Sequence, residues 1–235
     1  TVINKDNSGT YNMTMDISGM MQQMQAITGK GPTDEMSVAK SDSVIYFKSF
    51  TDTSTVLTTE EKEMLKDGSM NIHIDSENDD MKFVITIPFK NVTELPKLKQ
   101  ELAVAMKKIK LTDKLINNSA SDELSGMMQK GPDASMAMNP IEGAYSLSID
   151  SKMITNKLVD SSFVDRLLSG NSNMQMFKQM APMFGDLKYK TTYVLPGAVK
   201  NYKGSNATVS DDKKTISFTS NLTDMFDTPN ILEYE

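Results

Sequence analysis

Apolar and polar positions alternate with a period of two over several short stretches, and this period predicts β-strands. The clearest case is Met70, Ile72 and Ile74, which alternate with polar residues and are followed by the polar tip 75–80 and the alternating stretch 81–87. This pattern predicts a β-hairpin. The same period predicts further strands at 13–17, 44–50, 145–149, 187–195, 207–209, 216–218 and 231–234.

Between the strands, apolar residues recur at the spacing of an α-helix. The strongest helix prediction covers 93–110, with Thr93 as its N-terminal cap and lysines in its last turn. Its apolar stripe consists of Leu95, Leu98, Leu102, Met106 and Ile109. Thr58 and Glu61 have the spacing of a capping box, which predicts a short helix ending at Gly68. Other helices are predicted at 18–27, 162–168 (Ser162 and Asp165 at capping-box spacing) and 173–184.

Adjacent hairpins with helices between them favour an α+β fold, an antiparallel sheet packed by helices on one face. Residues 1–9 are polar and predict a flexible N-terminal tether. Residues 10–235 then form a single α+β domain, or two lobes divided near 117–142, where Asn, Ser, Gly and Pro are frequent.

Charge and cysteine content narrow the functional classes. The net charge is −6, and only Arg166 among 25 basic residues is an arginine, the side chain best suited to phosphates and base edges. We therefore expect no nucleic-acid partner. The chain has no cysteine, so disulfides and thiolate sites are excluded. It also lacks an apolar run of membrane-spanning length, so no membrane-spanning segment is predicted.

Candidate chemistry is sparse. His73 is the only histidine, and no nucleophile motif accompanies it, so no catalytic residue is predicted and His73 is interpreted as an exposed cross-strand side chain. The acidic run Asp75, Glu77, Asp79 and Asp80 lacks the internal glycine and the distal glutamate of a calcium loop, and is interpreted as a charged hairpin tip.

Methionine is the unusual residue, with 20 in the chain. Thioether sulfur suits Cu(I), but such sites usually recruit histidine or cysteine as well. The favoured interpretation is that methionine fills the core or lines an adaptable apolar groove. The clusters are at 13, 15, 20, 21 and 24, at 127, 128, 136 and 138, and at 174, 176, 180 and 183.

The stretch 189–218 has a long strand ending in Leu-Pro-Gly-Ala-Val, then a short hairpin with the turn Asp-Asp-Lys-Lys. It resembles the closing segment of LppM-like bacterial lipoproteins. The whole chain resembles the mature part of uncharacterised Bacteroidetes-type lipoproteins, with a polar start, far more Lys than Arg, and no Cys. The resemblance implies an α+β domain at the periplasmic or outer-membrane surface, with an apolar cavity, and it implies no catalytic residue.

The leading functional hypothesis, which follows from this resemblance, is a monomeric module of the cell envelope that is not an enzyme and uses no cofactor or metal. Its membrane contact is expected only through a lipid anchor upstream of Thr1. It binds an apolar small molecule or an envelope protein. The candidate ligand contacts are Met174, Phe177, Met180 and Phe184 of the predicted helix 173–184. Two alternatives stay open: a periplasmic protein that handles Cu(I) or Ag(I) with methionines, and an enzyme without a recognisable motif.

Overall fold

The computed structural model describes residues 1–16, 18–19, 40–75, 77–78, 80–108, 143–150, 152–169, 175, 178–179 and 188–235. The fold is α+β with a mostly antiparallel sheet, as predicted. The chain divides into two compact units. Unit 1 contains residues 1–11, 88–100 and 141–235, and unit 2 contains residues 12–87 and 101–140. The position 117–142, predicted as a lobe boundary, lies outside the described residues.

Unit 2 is built on a run of antiparallel strands. Strand β3 (Lys40–Tyr46) pairs with β4 (Ser69–Asp75), and β4 pairs with β5 (Asp80–Phe89), which confirms the predicted hairpin. Strand β2 (Gly9–Asp16) lies next to β5, on the side away from β4. The two strands of the hairpin bury one face and leave the other accessible, as their alternation predicts. The buried side chains are Met70, Ile72, Ile74, Met81, Phe83, Ile85 and Ile87.

Two short helices connect β3 to β4: α1 (Lys48–Thr51) and α2 (Thr59–Leu65). Helix α2 begins at the predicted capping box: the Thr58 hydroxyl accepts from the Glu61 N–H, and the Glu61 carboxylate accepts from the Thr58 N–H. Gly68 lets this connection lie close to the buried face of the sheet. A Cβ there would be 2.8 Å from the Phe47 ring and 3.3 Å from Ile87.

The prediction of a strand over 44–50 is wrong in its second half, since the strand ends at Tyr46 and α1 begins at Lys48. The reason is the burial of Phe47, which is fully buried at the turn into α1 and is not part of the strand. An apolar run cannot by itself distinguish these two uses of a phenylalanine.

Helix α3 (Leu95–Lys108) confirms the longest predicted helix. Its stripe buries Leu95, Leu98, Leu102 and Ala105. The predicted cap is wrong: a 3₁₀ turn, Val92–Glu94, precedes the helix, and the side chain of Asn91 accepts from the Thr93 N–H. None of the described helices is long and apolar enough to cross a membrane.

Unit 1 contains a second group of strands: β1 (Val2–Ile3), β8 (Lys188–Val194), β9 (Ala207–Val209) and β10 (Thr215–Asn221). Strand β10 pairs antiparallel with both β8 and β9, so the predicted strand near 187–195 and the hairpin at 207–218 are confirmed. Residues 1–9, predicted as a tether, contain β1 and the turn after it. Strand β1 pairs with the start of β2 and, in parallel, with Val194.

A two-stranded antiparallel sheet completes unit 1, made of β6 (Tyr145–Ile149) and β7 (Ile154–Leu158). Helix α4 (Phe163–Ser169) follows. The side chain that accepts from the Ser162 N–H before this helix is Asp160, so the predicted capping box of Ser162 and Asp165 is wrong.

The chain ends in the 3₁₀ turns Leu222–Phe226 and Pro229–Leu232. The predicted last strand is therefore reduced to bridges from Tyr234 to Asn156 and Gly204. Pro229 at the first position of the second turn suits a helical start better than a sheet.

Candidate functional site

The predicted ligand contacts Met174, Phe177, Met180 and Phe184 lie outside the described residues. So do most of the clustered methionines. Met13 and Met15 are described, and both are half-buried on one side of β2. In the described part of unit 2, polar and apolar groups meet at the surface of the sheet.

Three strands of unit 2 present one accessible face, which we call the β3–β5 outer face. The register places its side chains in two rows across the strands. The first row is Asp42, His73 and Lys82, and the second row is Val44, Asn71 and Val84. Tyr46 follows Val44 on β3. The first row is charged and the second is largely apolar, so the face has a polar end and an apolar end.

The charged row is centred on His73. Its Nδ1 lies 2.6 Å from Asp42 Oδ1, and its Nε2 lies 3.8 Å from Asp80 Oδ2. The side chain of Asp42 is 73% exposed, whereas that of His73 is 34% exposed. The histidine thus connects the carboxylate on β3 to the carboxylate at the start of β5, as a cross-strand partner of the predicted kind.

Asp80 holds the other end of this row. Lys82 Nζ donates to both of its oxygens, at 2.6 and 2.8 Å, and the Ser18 hydroxyl donates to Oδ1 at 2.9 Å. These bonds favour the ionised carboxyl and hold the pKa of Asp80 below its usual value, the Lys82 bond being the largest cause. The same contact raises the pKa of Lys82. The charges of the row are therefore largely compensated within it.

Asp75 lies at the start of the hairpin tip and is buried. Its Oδ2 accepts from Asn78 Nδ2 at 3.0 Å and from Lys40 Nζ at 3.1 Å, and these two bonds lower the pKa of Asp75. Its Oδ1 is buried without a partner among the described residues. Across those residues, no group of three or more His, Asp or Glu is arranged to hold a metal ion.

A shallow groove of about 270 Å³ runs over the β3–β5 outer face. It is lined by Asp42, Ser43, Val44, Asn71, Ile72, His73, Lys82 and Val84. At its apolar end the side chain of Val44 is 53% exposed and that of Tyr46 is 67% exposed. Among the described large apolar side chains of unit 2, more are buried than exposed, so two exposed ones on neighbouring positions of one strand face mark a surface suited to contact.

The described part of unit 1 offers a much smaller cavity of about 10 Å³, lined by Tyr189, Thr191, Phe218, Ser220, Ile231, Leu232, Glu233 and Tyr234. This volume corresponds to a single water molecule. The hydroxyls of Tyr193 and Tyr234 lie 2.7 Å apart beside it, both buried, and burial raises the pKa of both phenols. The arrangement is that of a packed core.

Sequence reasoning identified His73 as a cross-strand side chain, and the structure agrees. It missed Asp42, Val44 and Tyr46 as members of a surface, although the alternation of Lys40, Asp42, Val44 and Tyr46 puts all four on one side of a strand. The alternation does not indicate the order of the strands in the sheet, nor which side of the sheet other elements cover. A search of protein families, characterised proteins and solved structures finds no match to this chain.

Proposed function

We propose that this protein is a non-catalytic binding module that recognises a protein partner through the β3–β5 outer face. One observation carries the proposal: Val44 and Tyr46 are both more than half exposed on the same side of β3, where Val44 and Val84 line the groove together with the polar side chains of the outer face. Tyrosine is enriched where proteins meet, because its ring offers a large apolar contact and its hydroxyl a hydrogen bond.

The shape of the groove favours a protein over an apolar small molecule. Sites for small ligands are enclosed cavities of roughly 300 to 1,000 Å³ that are mostly apolar. The groove on the outer face is open to solvent, and five of its eight lining residues are polar: Asp42, Ser43, Asn71, His73 and Lys82. A broad partner surface covers such a face better than a small molecule does, because a partner can meet the charged row and the apolar row together.

The charged row supports binding rather than catalysis. Both ring nitrogens of His73 face carboxylates, and Lys82 is held by two bonds to Asp80. A general base needs a nitrogen directed at a substrate or nucleophile. With Nδ1 bonded to Asp42 and Nε2 facing Asp80 at 3.8 Å, His73 instead links the carboxylates of β3 and β5.

We place the module in the cell envelope, anchored by a lipid on a cysteine upstream of Thr1. This part of the proposal rests on the lipoprotein resemblance of residues 189–218 and on the excess of lysine over arginine. The test is the encoded sequence before Thr1, together with fractionation of the producing cells. A leader with a lipid-attachment cysteine and recovery in the membrane fraction support the placement, and a cytosolic protein without a leader contradicts it.

Site-specific photo-crosslinking tests the binding surface. Tyr46 is replaced by p-benzoylphenylalanine, and the envelope fraction is irradiated. Tyr202, a second exposed tyrosine, is the matched control position because it lies in unit 1 and is 49% exposed. We expect a discrete protein adduct from position 46 and none of that mass from position 202.

A second variant gives the specificity of the contact. Val44→Lys adds a charge to the apolar end, at a position exposed enough to keep the fold, and should remove the adduct formed from position 46. If no adduct forms at position 46, or if both positions give the same adduct, the outer face is not the binding surface.

A further inference from the structure

Strand β3 is an edge strand in the part of the chain that the structure describes, since within those ranges its backbone pairs with β4 alone. An edge strand presents a row of N–H and C=O groups that a further strand can bind. Natural edges are commonly protected by proline, bulges or charges along their length. Strand β3, Lys-Ser-Asp-Ser-Val-Ile-Tyr, has charges only in its first half.

We infer that the partner contributes an extended segment that pairs antiparallel with β3, and that its sequence has an apolar, apolar, basic, acidic order at alternate positions. This inference rests on the proposed function and identifies the partner's chemistry. Opposite Tyr46 and Val44 the segment carries apolar side chains, opposite Asp42 a basic one, and opposite Lys40 an acidic one. Main-chain bonds along β3 supply affinity, and the alternating side chains supply the register.

Both charged groups of β3 are accessible to such a partner. The side chain of Lys40 is 66% exposed while its ammonium contacts Asp75 at 3.1 Å, and an ammonium has three donors. The carboxylate of Asp42 is 73% exposed and contacts His73 through one oxygen, so its second oxygen remains able to accept from a lysine or arginine. Opposite charges directly across two strands stabilise the pairing.

A second copy of β3 fits this edge poorly. When two copies pair antiparallel over their full length, Ser43 lies opposite its own copy, Asp42 opposite Val44, and Lys40 opposite Tyr46. Sliding the copies by two residues, the smallest shift that keeps the same side chains on this face, puts Asp42 opposite a second Asp42 or opposite Tyr46. The carboxylate meets an apolar group or a like charge in each of these registers, which disfavours self-pairing.

Two peptides of equal composition test the inference on the full chain. The matched peptide is Val-Thr-Val-Thr-Lys-Thr-Glu, and the control exchanges its two charged residues to give Val-Thr-Val-Thr-Glu-Thr-Lys. Amide hydrogen exchange over residues 40–46 is measured by NMR with and without each peptide at up to about 1 mM. Free β3 should have fast exchange at alternate residues, whose N–H groups point away from β4.

The matched peptide should slow exchange at these alternate amides, because they then donate to the added strand. Two cross-strand charge pairs change sign in the control peptide, so we expect about tenfold weaker binding, a difference of about 1.4 kcal/mol. The preference should shrink in high salt, where exposed charges are screened.

Charge reversal on the protein supplies the complementary control. Asp42→Lys should weaken the matched peptide and favour Val-Thr-Val-Thr-Glu-Thr-Glu, in which an acidic residue faces the new lysine. Equal protection of wild-type β3 by the matched peptide and by its charge-exchanged control overturns the inference. The absence of protection at β3 with the matched peptide also overturns it. Protection that instead rises with protein concentration alone overturns it in favour of self-pairing.

These results are separable from the crosslinking result. An adduct at Tyr46 without strand-type protection of β3 leaves the binding surface in place and removes only the strand pairing. The absence of an adduct, in contrast, removes the proposed function itself.

Discussion

The buried tyrosine pair of unit 1 allows a sharp test of its packing. The hydroxyl oxygens of Tyr193 and Tyr234 lie 2.7 Å apart, and the rings meet edge to face with their centroids at 5.9 Å. The ring of Tyr234 also stacks on Phe218 at 4.4 Å. A Tyr→Phe change keeps each ring and removes only the hydroxyl, so it measures the hydrogen bond without creating a large cavity.

The two changes should have unequal costs. The Thr191 side chain lies beside the hydroxyl of Tyr234 and can serve as its second partner, whereas the described residues give Tyr193 the single partner Tyr234. Tyr193→Phe therefore leaves the Tyr234 hydroxyl with Thr191 as a partner, and should lower the free energy of unfolding by about 1 kcal/mol. Tyr234→Phe leaves a buried hydroxyl without a partner and should cost about 2 kcal/mol.

The measurement is urea unfolding followed by far-ultraviolet circular dichroism for both single variants and the double variant. The double variant should cost less than the sum of the two, by about 1 kcal/mol, because each single change already breaks the shared bond. Tyr202→Phe is the control: its exposed hydroxyl should matter by less than about 0.5 kcal/mol. Equal costs for Tyr193→Phe and Tyr234→Phe would contradict the single partner assigned to Tyr193. Costs that add would contradict the shared hydrogen bond.

Gly68→Ala should destabilise the protein by about 1 to 3 kcal/mol in the same assay, because its Cβ would be 2.8 Å from the Phe47 ring, while Gly197→Ala, with open space around it, should be near neutral. Thr58→Ala removes the cap of α2 and should cost about 1 kcal/mol; a cost near zero would mean that the cap adds no stability. Burial raises the pKa of Tyr145 from 10.0 to about 12, so the neutral phenol favours the folded state. That contribution is complete below pH 10 and is lost as the pH rises through 12, so the stability of the wild type relative to Tyr145→Phe should fall across this window, and a constant difference would contradict the shift.

Much of the fold was predictable because its main elements are local. The hairpin of β4 and β5 follows from an alternation of seven apolar residues around a polar tip, and α3 follows from a stripe at helical spacing. Strand β1 was not predictable, because two residues are too few to define a period. Its structure comes from pairing with Val194, far away in the sequence.

The candidate surface was predictable only in part. The residues of β3 that face outward follow from their alternation, but their exposure depends on the place of β3 in the sheet and on what packs over that side of it. Val44 and Tyr46 in a central strand covered on both faces would be core residues with the same sequence pattern. Strand order depends on long-range pairing, which no local pattern encodes, and so the surface emerges only from the structure.

The parallel pairing of β1 with β8 also affects how the chain folds during synthesis. The hairpin of β4 and β5 can form as soon as its own residues are available, whereas Val2 meets Val194 only after all the residues between them have been made. At about 5 to 20 residues per second, this separation corresponds to a delay of about 10 to 40 s. During that time the first strand has no β8 to pair with, so unit 2 can begin to fold well before unit 1 is closed.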